Sequence, residues 1–344
     1  MERLPRYRTG DAGLDAAVAE MVDQVADPDD ADLVFELVAS ALRLGRDRAD
    51  RGDLKIASAA LKEMRHAFHV FAPYRSARKV AIFGSARTRA DDPLYLAARD
   101  VAAALAQRDW MVITGAGPGI MEAGIEGAGP ERSFGVSIKL PFESTTSQFF
   151  DGDPKLVNFR YFFTRKLEFI KESDAFVLLP GGFGTLDEAF ELLTLLQTGK
   201  AQSAPVILLD TPGGSYWHEW LEFVKQELLP TYISEHDLHL LHVTDRVDDA
   251  VDEALAFYRN YHSQRFVDGD LVLRMERPLG DETLARLSEE FADIIVRGEL
   301  TAIDATPAEH ADDDHVDLAR ISFRFDRRGW SRLRMLIDQL NQAV

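Results

Sequence analysis

No cysteine occurs among the 344 residues, so disulfides, thiolate nucleophiles and cysteine-ligated zinc are all excluded. The chain also has no apolar run of about 18 residues, the minimum for a membrane-spanning helix. Its first ten residues mix Arg with Pro and lack the apolar core of a signal peptide. These absences predict a cytoplasmic protein with no membrane association. Positive charge is scarce as well: 39 Lys and Arg stand against 58 Asp and Glu, a net charge of −19. Such a balance opposes non-specific binding to nucleic acid or to anionic lipid, so an anionic ligand needs a local positive site. Two nucleotide motifs are missing. No GxxxxGK(S/T) phosphate loop occurs, and Gly115-Ala116-Gly117-Pro118-Gly119 fails the dinucleotide pattern GxGxxG, because Ile stands at position 120. Nothing marks a Schiff-base lysine for pyridoxal phosphate. Internal repeats and low-complexity tracts are absent too.

What is present is a hydrophobic content of 46%, ample for a sizeable core. Residues 31–44 and 54–71 carry apolar side chains at three- and four-residue spacing and predict helices, with Asp27, Asp29 and Asp30 at a helix start. From 79 to about 261 strand and helix patterns alternate, predicting an α/β fold with a doubly wound parallel sheet covered on both faces. The strands fall at 79–83, 111–114, 134–138, 175–179 and 206–209. Helices are expected at 93–108, 118–127, 159–172, 185–198, 216–229 and 247–261. After 262 the pattern changes to strands at 271–277 and 316–325 and helices at 281–296 and 330–340, a small α+β appendage. Three parts follow: an N-terminal helical segment (1–75), a Rossmann-like domain (76–262) and the appendage (263–344). The acidic run 312–315 reads as a solvated loop, since no matching metal ligands accompany it.

In a parallel sheet ligands collect beyond the carboxyl ends of the strands. Four strand-following segments would therefore share one rim: Gly84-Ser85-Ala86-Arg87, Gly115 to Gly119, Pro141-Phe142-Glu143, and Pro180-Gly181-Gly182-Phe183-Gly184-Thr185. The last is the most informative. Its glycines let the backbone approach a ligand, and the helix that follows offers free N–H groups backed by the positive end of its dipole, a seat for phosphate or carboxylate. Glu188 lies about one turn, ~5.4 Å, further along the same face as Gly184. The rival reading is a capping box, in which Thr185 and Glu188 only satisfy amides at the helix start; the three glycines favour the ligand seat. Arg165 and Lys166 stand among Tyr161, Phe162, Phe163, Phe169 and Ile170. Arg165 could pair with Glu168 at i,i+3, yet a cation in such surroundings is more economically aimed at an anion.

The Arg165-Lys166 pair, the run PGGFGTLDE at 180–188 and the GSAR and GAGPGIMEAG segments together resemble the Lonely Guy (LOG) family of nucleoside 5′-monophosphate phosphoribohydrolases, many formerly labelled lysine decarboxylases. The resemblance covers about residues 79–261. It implies a Rossmann-like homodimer, or a higher homo-oligomer, that hydrolyses the N-glycosidic bond of a nucleoside monophosphate such as AMP or a cytokinin nucleotide, with no cofactor and no metal. By the same resemblance Arg165 and Glu188 form the catalytic pair. Lys166, Gly181, Gly182, Gly184, Thr185 and Thr194 contact the nucleotide, Glu143 is a further substrate-contacting acid, and Gly84, Ser85, Gly115, Gly117 and Gly119 line the same rim. Phe162-Phe163-Thr164 departs from the Met-His of plant-type members. A non-catalytic carrier of a nucleotide or pterin cofactor on the same cradle is the alternative.

Overall fold

The computed structural model describes residues 7–139 and 152–344. The chain divides into two compact units, one reaching residue 65 and one running from residue 66 to the end. The first unit contains α1 (Ala12–Val22), α2 (Ala31–Arg46) and most of α3 (Arg51–Phe71). Asp11 caps α1 by accepting from the N–H groups of Gly13 and Leu14. Its small core joins Val18 and Val22 to Phe35 and Ala39. Helix α1 falls inside the stretch 1–75 that the sequence reads as helical, although the two segments singled out by spacing, 31–44 and 54–71, correspond to α2 and α3.

The second unit is built on a seven-stranded sheet in the order β4-β3-β2-β1-β5-β6-β7, every neighbour parallel. Its strands are β1 (Lys79–Phe83), β2 (Met111–Thr114), β3 (Ser133–Ile138), β4 (Leu156–Phe159), β5 (Ala175–Leu178), β6 (Val206–Leu209) and β7 (Leu241–Thr244). The connecting helices are α4 (Pro93–Ala106), α5 (Ile120–Ala128), α6 (Phe162–Glu172), α7 (Phe183–Gln197), α8 (Tyr216–Phe223) and α9 (Val247–Phe257). The fold is thus the expected α/β doubly wound, Rossmann-like sheet. The alternating faces of the central strands feed two cores. Ala81, Phe83, Ile113 and Leu178 pack with Phe169, Leu192 and Trp217 on one side. Val80, Ile82, Val112 and Val177 pack with Ala98, Leu105, Ile120 and Ala254 on the other. Because both faces are covered, the strands are continuous apolar runs rather than alternating ones.

β4 and β7, the two edge strands, do not stand out in the sequence. The residues of β4 include Asn158 and those of β7 include His242 and Thr244, so neither has the uniform apolar character of the centre. The helix expected from residue 159 begins instead at Phe162, since Phe159 is fully buried in β4 opposite Ile138. Strand order reverses at β1: the chain winds outward through β2, β3 and β4, then returns to place β5 on the other side. A crevice at such a reversal, beyond the carboxyl ends of β1 and β5, is where this architecture binds ligands.

The chain ends in a four-stranded antiparallel sheet, β10-β11-β9-β8, formed by β8 (Tyr261–Val267), β9 (Asp270–Met275), β10 (Ile295–Ile303) and β11 (Ala319–Phe325). Helices α10 (Asp281–Glu290) and α12 (Trp330–Gln342) cover one face through Leu284, Leu287, Leu333, Leu336, Ile337 and Leu340; a short α11 (Pro307–Ala311) precedes β11. Two strands, β8 and β10, lie where no strand is expected, and the helix expected to reach 296 ends at Glu290. The acidic run at 312–315 is no free solvated loop. Asp312 and Asp314 pair with Arg265 at 2.8 Å each, and Asp314 also meets Arg274. Fully buried Glu309 accepts from Arg274 Nε at 2.8 Å and from Arg320 Nε at 3.1 Å, so the segment is pinned across the sheet by charge-assisted bonds. Among the described residues no helix is long and apolar enough to cross a membrane.

Candidate functional site

The loops after β1, β2 and β5 are locked to one another by backbone contacts that only glycine allows. Ser85 N–H donates to the Pro180 carbonyl at 3.3 Å, and the Ser85 carbonyl accepts from Ile120 N–H at 3.1 Å. Gly119 caps α5 at φ +69°, and a Cβ there would lie 2.4 Å from the Ser85 carbonyl oxygen. A Cβ on Gly84 would strike Ile120 at 2.7 Å. One non-glycine residue in this loop, Ala116, is held at φ +56°, the left-handed region that costs an L-residue energy and persists only where the surroundings enforce it.

The glycines after β5 divide into two kinds. A Cβ on Gly181 would lie 2.1 Å from Thr185 Oγ1, so this glycine exists to let the loop fold onto buried Thr185. Gly182 and Gly184 have nothing within 4 Å of where a Cβ would stand. Both face open space. Helix α7 starts at Phe183 with Gly182 as its N-cap, and no side chain caps it. Thr185 is therefore the third residue inside the helix, and the capping-box reading of Thr185 and Glu188 does not apply. Thr185 N–H turns back onto the Gly182 carbonyl at 3.1 Å, so the N–H groups of Phe183 and Gly184, at the positive end of the helix dipole, have no side-chain cap.

These loops bound a cavity of about 920 Å³. Of the residues singled out in the sequence, Gly84, Ser85, Gly115, Gly117, Arg165, Gly181, Gly182, Gly184, Thr185 and Glu188 line it. Gly119 does not; it holds the wall from behind. Lys166 and Thr194 also lie off the cavity. Lys166 Nζ meets Glu191 at 2.6 Å, Asp187 at 3.0 Å and Glu188 at 3.5 Å. Burial works against its charge, but the carboxylates of Glu191 and Asp187 outweigh it and raise its pKa. Thr194 is exposed on α7 and donates to the Phe190 carbonyl at 2.7 Å. Glu143 lies outside the described residues.

Arg165 is fixed by two neighbours. Its Nε donates to the Val136 carbonyl at 2.9 Å, and Nη2 would be 2.6 Å from any Cβ on Gly115. It does not pair with Glu168, whose two carboxylate oxygens are buried without a hydrogen-bond partner among the described residues. Burial pushes the Glu168 carboxyl up to about 7. Burial also lowers the Arg165 pKa, partly offset by the nearby Glu188 carboxylate. Glu188, only 7% exposed, is raised by burial against the opposing pull of Lys166 and Arg165. The cavity thus pairs a permanent cation with a carboxylate whose environment disfavours ionisation.

Sequence reasoning missed several wall residues: Ser137, Lys139, Asn158, Phe162 and Met121. Ser137 lies near the end of β3 and Lys139 just after it, and Asn158 belongs to the unexpected β4, so their place on the rim depends on strand order. Met121 carried a local signal, standing in the glycine-rich segment itself, where its Sδ would meet a Cβ on Gly115 at 2.6 Å.

A doubly wound sheet with an uncapped helix N-terminus, a fixed arginine and a buried glutamate in the crevice at the strand-order reversal defines a Rossmann-like protein. The model of the family described as possible lysine decarboxylase matches residues 117–254. A probable cytokinin riboside 5′-monophosphate phosphoribohydrolase of Oryza sativa subsp. japonica is 35% identical over 100 residues, 29% of this chain and 46% of that protein. A cytokinin riboside 5′-monophosphate phosphoribohydrolase of Arabidopsis thaliana is 40% identical over 77 residues, 22% of this chain and 35% of that protein. Over these stretches the chain is similar to LOG-type proteins. The match spans less than half the length of either relative. Among solved structures, the molybdenum cofactor carrier protein of Chlamydomonas reinhardtii aligns over 52% of this chain and 99% of its own, with 22% identity and a TM-score of 0.36.

Proposed function

We propose that the chain is a nucleoside 5′-monophosphate phosphoribohydrolase, releasing a free base and ribose 5-phosphate by hydrolysis of the N-glycosidic bond. The observation that carries this reading is Glu188, a nearly buried carboxylate in the same cavity as the uncapped start of α7. Names of the LOG relatives support the reaction class. On this reading residues 76–262 are the catalytic domain, with the helical segment before them and the α+β appendage after them as flanking parts.

The chemistry follows from charge. Cleaving the bond builds positive charge on the sugar, and an anionic Glu188 stabilises that charge and orients or deprotonates the attacking water. Its raised pKa moves it toward the working pH of a general base. The phosphate sits at the amides of Gly182 and Gly184, and this remote grip aligns the sugar over Glu188. Arg165, locked to the Val136 carbonyl, holds ribose oxygens or stabilises the departing base. Gly115 keeps that guanidinium in place by leaving room for it. Phe162, Met121 and Asn158 offer an apolar wall with one amide for the base.

The functional form on this reading is a homodimer. Its support is an apolar surface on neighbouring helices: Phe162, Phe163 and Leu167 of α6 and Phe183 and Phe190 of α7 are all substantially exposed. Chromatography of the products from purified protein and a panel of nucleoside 5′-monophosphates tests the activity. Tight retention of a nucleotide without base release would instead make the protein a carrier.

A further inference from the structure

Among the described residues, the cations lining the cavity are Arg87, Lys139 and Arg165. Arg165 is committed to the Val136 carbonyl and the space above Gly115. Lys166, assigned to the nucleotide by family resemblance, is already surrounded by Asp187, Glu188 and Glu191. A phosphate dianion at the start of α7 would still lack a full positive charge, because a helix end supplies only about half of one. Arg87 is exposed, lines the cavity, and has no carboxylate within ion-pair distance among the described residues.

Position distinguishes Arg87 from Lys139. Arg87 N–H donates to Ser85 Oγ at 3.1 Å, and Ser85 N–H in turn donates to the Pro180 carbonyl that opens the glycine loop. A Cβ on Gly181 would lie 3.1 Å from that same Ser85 nitrogen. The arginine thus stands two residues from Ser85, which touches the glycine loop, on the loop after β1 and beside β5. Lys139 leaves β3, three strands and roughly 14 Å from β5 at the usual strand spacing. We propose that Arg87 is the phosphate-binding cation of this site, reaching over the β1 loop to the anion held at Gly182 and Gly184, in the role that Lys166 cannot fill here.

This rests on the nucleotide reading above, so the experiment includes a binding arm that needs no turnover. Titration calorimetry with ribose 5-phosphate and with inorganic phosphate is run on the parent, Arg87→Gln, Arg87→Lys and the control Arg89→Ala. Arg89 pairs with Asp91 at 3.0 Å outside the cavity. Arg87→Gln is expected to weaken both ligands about tenfold or more, the worth of one charge-assisted contact. Arg87→Lys should recover part of the loss, and Arg89→Ala should bind as the parent does. Where the parent turns over a nucleotide, kcat/KM for it should fall at least tenfold in Arg87→Gln, while any cleavage of the matching nucleoside, which has no phosphate, stays the same. Parent-like binding of ribose 5-phosphate by folded Arg87→Gln overturns the assignment, as does an equal loss toward nucleotide and nucleoside. Parent binding of ribose 5-phosphate with no base released from any nucleotide would sink the hydrolase reading and leave the Arg87 assignment to be decided by calorimetry alone.

Discussion

Glu188 is held where its own charge is disfavoured, and that leaves a signature in stability. Its pKa is raised above the ordinary 4.5 by burial. Below about 4.5 the carboxyl is protonated folded and unfolded alike, and there is no cost. As pH rises from there the unfolded state ionises first, so the folded state loses relative stability until its own raised pKa is passed. Glu188→Gln should therefore melt higher than the parent at pH 8 and with it at pH 4, by differential scanning calorimetry. It should also lose base release. A lower melting temperature at both pH values would mean that the residue serves structure rather than chemistry. Gly119→Ala gives the complementary case. The new methyl would sit on the Ser85 carbonyl at a positive φ, so we expect a loss of about 2 kcal/mol or more in denaturant unfolding. Gly182→Ala, with φ −88° and open space around it, should unfold as the parent does while weakening phosphate binding.

At the scale of the element, the start of α7 was readable from the chain because its signals are local: three glycines after an apolar strand, then helical spacing. The core strands β1, β2, β5 and β6 were equally plain, being short uninterrupted apolar runs. What could not be read was whatever depends on neighbours distant in sequence. Strands β4 and β7 hold polar residues on exposed edges, and β8 and β10 include Arg265, Arg297 and Glu299, so none has a strand's usual signature. The diversion of Lys166 onto α7 carboxylates likewise needs α6 and α7 side by side. Helix α12 illustrates the same point. Its buried Arg334 is bonded to Asp338 on its own helix and to Glu253 on α9, and lies over the Phe257 ring at 4.6 Å. Trp330 closes onto Gly199, where any side chain would collide with the indole. Arg334→Ala would leave two carboxylates in a partly buried setting without their cation, and should cost about 3–5 kcal/mol in urea unfolding. A change under ~1 kcal/mol would show that the appendage is held by its apolar contacts alone.

For the molecule as a whole, the net charge of −19 makes the small cationic set inside the cavity the natural place for an anionic ligand. The exposed aromatic surface of α6 and α7 bears on assembly. Light scattering after size exclusion should give twice the 38.5 kDa chain mass, and Phe163→Asp with Leu167→Asp should shift it toward a single chain. A parent protein that elutes as a monomer at micromolar concentration would remove the dimer from the account. The most direct test of the central claim is quantitative product analysis with purified protein, a nucleoside 5′-monophosphate panel and Glu188→Gln alongside. Equal amounts of free base and ribose 5-phosphate from the parent, and none from the variant, are the predicted result. A nucleotide recovered intact from both, or a variant as fast as the parent, would contradict it.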